Sequence, residues 1–231
     1  MPYFTLVPYL IILAGVGLSY VGLLPAMTGW VLSALGVLSG LGFAVTVMFS
    51  RQVDLWWAAA IAVLPSMVAI PMVMNDLRYP RINDVATNVE APPTFVAALQ
   101  IAPNTRRDMS FPEKNGPIIH KAYPNIHPLI LDEPLEHVFQ RIETLARIQP
   151  GWVITRHDAI TFTLEGEATT SFFRFIDDFI IHVSDYEGKA RIDIRSKSRD
   201  GLVDAGANAK RIQTFFKQLD NSKAEAMHVD S

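Results

Sequence analysis

Thr170–Ser198 reads TSFFRFIDDFIIHVSDYEGKARIDIRSKS. Two runs rich in β-branched and aromatic residues flank Asp185-Tyr186-Glu187-Gly188, a polar tetrapeptide ending in glycine. This pattern predicts an antiparallel hairpin, with a strand over Thr170–Ser184, a turn over Asp185–Gly188 and a return strand over Lys189–Ser198. With Ser184 opposite Lys189, Asp178 faces Arg195, Ile180 faces Asp193 and His182 faces Arg191. That face is polar. The other holds Phe175, Phe179, Ile181, Val183, Ile192 and Ile194, with Asp177 among them opposite Ser196. Side chains alternate between faces, so a one-residue slip would invert the whole pattern.

Regular elements flank the hairpin. Asp132–Gln149 has helical periodicity, with Leu135, Val138, Phe139, Ile142, Leu145 and Ala146 on one face, Asp132 as N-cap and Pro134 in the first turn. Pro150-Gly151 ends it. Trp152–Arg156 and Ile160–Glu167 read as strands around a His157-Asp158 turn. Asp204–Leu219 reads as a final helix capped by Asp204, with Ala205, Asn208, Ile212, Phe215, Phe216 and Leu219 inward. Residues 221–231 read as a frayed tail. Helix, four antiparallel strands and helix make a two-layer α+β domain over residues 129–220.

The N-terminal part is of another kind. Residues 1–50 contain no Asp, Glu, Lys, Arg or His, and residues 1–74 hold only Arg51 and Asp54. A charged side chain at a bilayer centre costs about 2.5–3.5 kcal/mol, so such a run fits a membrane. Tyr3–Leu24, Trp30–Phe49 and Leu55–Met74 are each close to the roughly 20 residues a spanning helix needs. They predict a three-helix transmembrane anchor. No basic segment precedes the first span and two spans follow it, which argues against a cleaved signal peptide. Ser33, Gly36, Gly40 and Ala44 form a small-residue stripe on the second span. Such a stripe packs helices closely, within this bundle or against another membrane protein. Pro65 and Pro71 predict a kinked third span. No span carries an internal acid or base for a proton relay.

Between anchor and domain, residues 75–128 hold Pro80, Pro92, Pro93, Pro103, Pro112, Pro117, Pro124 and Pro128. Long helices are disfavoured there. Val89, Phe95, Val96, Leu99, Ile101, Phe111, Ile118 and Ile119 need cover, so an extended strap over the domain or the membrane surface is expected.

Composition narrows the function classes. The net charge is −3, which argues against a nucleic-acid partner held by phosphate neutralisation. There is no cysteine, hence no disulfide, thiolate metal site or Cys nucleophile. His120, His127, His137, His157, His182 and His228 lack HxH or HxxxH spacing, and no GxGxxG, P-loop or GxSxG is present. No cofactor is implied.

The polar residues gather in Phe175-Ile176-Asp177-Asp178 and in RSKSRDGLVDAGANAKRI, Arg195–Ile212. These, with Ile82–Thr87 (INDVAT), Pro92–Phe95 (PPTF) and Gly151-Trp152, resemble the core of the DUF1499 family over about residues 80–219. Asp200 and Ala205 depart from the usual motif, and neither departure removes a polar residue. The resemblance implies a membrane-associated or exported domain; some relatives resemble lipoproteins. It places the domain on the periplasmic side of a bacterial inner membrane, whereas Arg51 against Arg78 and Arg81 leans weakly the other way.

Three readings of the cluster remain open. Asp178 and Arg195 can form a cross-strand ion pair, with Asp177 held by Ser196, Ser198, Arg199 or Arg211, and Asp204 and Asn208 satisfying the helix start. Alternatively Arg195, Lys197, Arg199 and Arg211 hold an anionic head group, oriented by Asp177 or Asp178. Thirdly, the two aspartates activate water or a metal, although neighbouring strand residues point to opposite faces. Two functions follow: a non-enzymatic membrane-tethered accessory or ligand-binding module, or an enzyme acting near the bilayer on an amphiphilic or anionic substrate through Asp177, Arg195, Arg199 and Arg211.

Overall fold

The structure is a computed structural model that describes residues 2–229. Two compact units are present: the helices up to Tyr79 together with loop Thr170–Phe175, and the remainder of the chain from Pro80.

The helical unit contains α1 (Val7–Tyr20), α2 (Ala26–Ser50) and α3 (Trp56–Asp76), with a 3-10 turn over Pro2–Thr5. Two segments, Ala26–Ser50 and Val53–Asp76, are long and apolar enough to cross a membrane, each with a mean hydropathy of 2.0. α1 is apolar but shorter, at 14 residues. The small-residue stripe is filled within the unit. Gly36 lies against Pro8 and Ile12, and Gly40 lies so close to the Ala62 carbonyl that any Cβ would collide with it. Ser33 Oγ donates to the Gly29 carbonyl at 2.9 Å. α2 turns out of its helix at Arg51, whose φ of 54° is left-handed.

The second unit is α+β, as its periodicities predict. Its antiparallel sheet contains β1 (Asp84–Ala86), β2 (Leu129–Leu131), β3 (Trp152–Asp158), β4 (Thr163–Thr169), β5 (Ile176–Tyr186) and β6 (Lys189–Ser198), in the order β1-β6-β5-β4-β3. β2 pairs with β6 beyond β1. The sheet thus has six strands rather than about four, because two short segments of the proline-rich region pair along β6. The expected boundary at residue 129 does not divide this unit, which is continuous from Pro80. The region also folds into α4 (Asn115–Ala122) and short 3-10 turns at Ala98–Gln100 and Ala102–Asn104.

The hairpin register differs from the sequence reading by two residues. Asp178 pairs with Lys197 and Ile180 with Arg195, not Asp178 with Arg195; His182 faces Asp193, and Asp177 faces Ser198. The turn is tighter than four residues. Glu187 and Gly188 have φ of 56° and 78°, the paired left-handed geometry of a two-residue turn, so Tyr186 pairs with Lys189. A two-residue shift leaves every side chain on its assigned face. The first strand also starts later, because Thr170–Phe175 is a loop.

Two other helices flank the sheet. α5 (Leu135–Arg147) starts at Pro134 without a side-chain cap, so Asp132 does not serve as expected. α6 runs Ala207–Val229 and extends through most of the expected frayed tail; residues 230 and 231 lie outside the described residues. Val138, Ile142 and Ala146 of α5 and Ala209, Ile212, Phe215 and Leu219 of α6 share one core with Phe179, Ile181, Val183, Ile192 and Ile194. The opposite sheet face is covered from the proline-rich region, where Phe95, Ala98 and Met109 pack with Ile180.

Gly166 on β4 makes the aromatic part of the core possible. A Cβ there would stand 2.5 Å from the Phe179 ring and 2.6 Å from the Val153 carbonyl. The Phe179 ring lies with its centroid 4.1 Å from that of Trp152, which stacks in turn on Phe215 at 5.3 Å. Gly166→Ala is predicted to lower stability by about 1–3 kcal/mol through overpacking. Chemical denaturation of the detergent-solubilised chain measures it; an unchanged midpoint would show that this aromatic column yields freely.

Candidate functional site

The expected cluster is divided between the two faces of the sheet. Along Arg195-Ser196-Lys197-Ser198-Arg199, the basic side chains fall on the face covered by the proline-rich region, and the serines on the face of α6. β-strand alternation alone causes this division.

On the covered face, Asp84 is wholly buried and accepts from three groups. Arg195 donates through Nε at 3.0 Å and a terminal nitrogen at 2.8 Å, and Lys197 Nζ donates at 2.8 Å. Arg195 is 2% exposed. Its other donors reach the carbonyls of Met109 at 2.8 Å and Pro93 at 3.2 Å. Its guanidinium lies over the Phe95 ring at 4.7 Å and the Phe111 ring at 5.4 Å. A buried guanidinium is tolerable only when its donors are met, and here pairing, carbonyls and aromatic faces all contribute.

Asp178 is also fully buried. It is bound by Arg199 at 2.6 Å and by the Asn104 side-chain amide at 2.8 Å. Arg199 reaches onward to Glu167 at 2.7 Å. Arg107 donates to Asn104 at 2.7 Å and to the Ser198 carbonyl. Glu165, 1% exposed, accepts from the backbone N–H groups of Val96, Ala97 and Ala98 at 3.0–3.2 Å and from Arg156 at 3.2 Å. A carboxylate of β4 thus holds the first turn of a strap segment that has no side-chain cap of its own.

On the helix face, Asp177 pairs with Arg211 of α6. Arg211 also donates to Ser196 Oγ at 2.8 Å and to Asn208 Oδ1 at 2.6 Å. Asn208 donates to Ser198 Oγ at 3.0 Å and to the Asn83 carbonyl at 3.2 Å. Asp204 accepts from the backbone N–H groups of Gly206 at 2.9 Å and Asn208 at 3.1 Å, and so holds the helix start.

Two shifts describe the electrostatics. Burial pushes the Asp204 carboxyl above its ordinary value, against the hydrogen bonds from Gly206 and Asn208 and with help from the nearby charge of Asp177. Burial works against the Arg199 charge, yet the hydrogen bonds and charges of Asp178 and Glu167 carry its pKa above the usual value.

Of the eight expected site residues, Asp178, Arg195, Lys197 and Arg199 meet on the covered face, and Asp177, Asp204, Asn208 and Arg211 on the helix face. Asp84, Asn104, Arg107, Glu165 and Glu167 complete these networks and were not expected among them. Asp84 did stand in Ile82–Thr87, and a carboxylate followed by apolar Val85 and Ala86 was its only local signal. Among the described residues, no three His, Asp or Glu side chains are placed to hold a metal ion. A depression lined by His137, Gln140, Arg141, Thr144, Leu145 and Ile148 lies on the outer side of α5, and none of these residues belongs to either network.

A family model described as a protein of unknown function, DUF1499, matches residues 84–219, and the chain belongs to that family. The match starts at Asp84 and ends at Leu219, so it takes in both networks. No curated protein and no solved structure matches.

Asp84→Ala is predicted to cost about 3–5 kcal/mol, because it strands two buried cations. Asp178→Ala costs less, since Arg199 keeps Glu167. Denaturation midpoints give the order, and a reversed order would mean that Arg195 is relieved by solvent. Asp177→Asn retains the shape and part of the hydrogen bonding, so it lowers stability less than Asp177→Ala.

The raised Asp204 carboxyl carries a pH signature. The folded state holds its proton to higher pH than the unfolded chain, so the stability contributed by Asp204 is greatest below the ordinary carboxylate pKa of 3.8 and is lost as pH rises through the folded value. The stability of wild type relative to Asp204→Asn therefore falls over that window. Paired denaturation curves across acid and neutral pH test this; a difference that is flat or rises would contradict it.

Proposed function

We propose that this DUF1499 protein is a non-enzymatic, membrane-tethered accessory or ligand-binding module that works at the membrane surface. The observation that carries the reading is the internal pairing of the cluster. Asp84, Asp177 and Asp178 are 0–3% exposed and each is bound by a cation of the same network. A catalytic acid or base needs reach to a substrate, and its partners should converge on a cavity. These groups converge on each other. They read as locks that fix the strap and α6 to the sheet, which leaves exposed loops and surfaces to meet a partner.

Three spans, with the N-terminus cytoplasmic and the domain periplasmic in a bacterial inner membrane, complete the proposal. α1 alone is about 21 Å long at 1.5 Å per residue, short of the roughly 30 Å hydrocarbon core. The 3-10 turn over Pro2–Thr5 adds about 8 Å and brings the segment near a full crossing. α2 and α3 have the length outright. Family membership favours the periplasmic side through the resemblance of some relatives to lipoproteins.

Reporter fusions at the N-terminus, at Arg51 and at the C-terminus test the topology. Three spans place the two termini on opposite sides and Arg51 with the N-terminus; termini on one side would leave two spans. For the activity, Asp177→Asn and Arg211→Lys are scored together for thermal stability and for lipids that co-purify in mild detergent. Under the proposal any loss of function follows loss of stability. A variant that keeps its unfolding temperature but sheds a bound anionic lipid would move the ligand site into the network itself.

A further inference from the structure

We infer that one end of the sheet domain is a bilayer-docking rim, formed by Phe172 with Arg174 in loop Thr170–Phe175 and by Leu202 and Val203 in the loop after β6, whose occupant is the interfacial layer of a membrane containing anionic lipid. This rests on the proposed membrane anchor and adds a second attachment to it.

The strand register places these loops together. Thr169 pairs with Ile176, so Thr170–Phe175 closes the β4–β5 end. Asp177 pairs with Ser198, so the loop after Ser198 leaves at that same end. Asp84 pairs with Lys197, so β1 also begins there. The segment before β1 is tied to the second loop: the Asn83 side chain donates to the Gly201 carbonyl at 2.7 Å, and the Asp204 N–H to the Ile82 carbonyl at 3.1 Å. α3 ends at Asp76, eight residues before Asp84, a connection that spans at most about 29 Å. The chain therefore enters the domain at this end.

The side chains at this end are unusual for a soluble surface. Leu202 is 82% exposed and Phe172 71%. Ile148, which leads out of α5 toward β3, is 71% exposed. The opposite end carries Asp158, Asp185, Glu187 and Lys189 around exposed Ile160 and Tyr186. The Phe172 loop is built rather than loose. The Thr170 N–H donates to the Phe175 carbonyl at 2.9 Å, and the Phe175 N–H returns to Thr170 Oγ1 at 2.9 Å. The Phe173 and Phe175 rings meet at 6.2 Å, which leaves Phe172 as the outward aromatic. Arg174 stands exposed beside it in a left-handed conformation, with φ 64°. An exposed aromatic beside an arginine is the chemistry of the headgroup boundary, where the ring enters the acyl edge and the guanidinium meets phosphate.

The chain has no cysteine, so single-cysteine variants report cleanly. Phe172→Cys, Leu202→Cys, Glu187→Cys and, in α2, Leu38→Cys are labelled with an environment-sensitive fluorophore in the full chain. The chain is reconstituted in phosphatidylcholine vesicles with or without phosphatidylglycerol, with brominated lipid as quencher. The expected result is a blue shift and quenching at 172 and 202, with water-like emission at 187. Arg174→Gln should reduce quenching at 172 only in vesicles with phosphatidylglycerol. Emission at 172 no more quenched than at 187 overturns the rim. Quenching at 38 without quenching at 172 defeats the rim alone, whereas water-like emission at 38 defeats the anchor and the rim with it. An Arg174→Gln effect equal in both vesicle types removes the anionic lipid from the proposal.

Discussion

The buried pair of Asp84 and Arg195 is the constraint around which the sheet domain is organised. Arg195 sits in β6, the strand that pairs with three others, and is almost wholly buried. The desolvation cost of such a charge is several kcal/mol, so its partners cannot be optional. One is a carboxylate 111 residues earlier in the chain; the others are carbonyls of Pro93 and Met109. Satisfying one side chain therefore draws the proline-rich segment over the sheet and aligns β1 along β6. Phe95 and Phe111 then exclude water from the same charge. A region poor in backbone regularity acquires one conformation because a charge beneath it requires that conformation.

The motif Arg195–Arg199 does two structural jobs because a strand has two faces. Arg195, Lys197 and Arg199 fasten the strap side through Asp84 and Asp178; Ser196 and Ser198 fasten the α6 side through Asn208 and Arg211. Asp177 and Asp178 repeat the arrangement on β5, one carboxylate to each side. Alternation of cation and hydroxyl at period two, next to a neighbouring pair of aspartates, is thus a sheet with polar locks on both surfaces. A cluster compact in sequence becomes two networks separated by the backbone.

Much of this was legible locally. The hairpin, the faces of its residues and both flanking helices follow from periodicity, which depends only on neighbours in the chain. The faces survived a wrong turn length because the error was two residues, the repeat of the strand itself. What could not be read was long-range. Three-residue β1 and β2 are too short to show alternation, and Asp84 announces its partner in no local feature. Glu187 hid the turn type, since a non-glycine residue with φ 56° is uncommon at that position. Asp132 looked like an N-cap because composition alone does not reveal where Pro134 sets the backbone.

The division of the networks bears on how a function can be sought. Charges spent on internal partners contribute little field outside, and Arg195 and Lys197 of the basic run, at 2% and 5% exposed, are spent in this way. Replacing buried ion pairs by apolar side chains often costs little stability, so what these pairs contribute is specificity of structure more than strength. Here the specificity concerns which segment lies on which face, over separations of 34 residues between Asp177 and Arg211 and 111 between Asp84 and Arg195. Such locks hold the strap and α6 to the sheet in one arrangement.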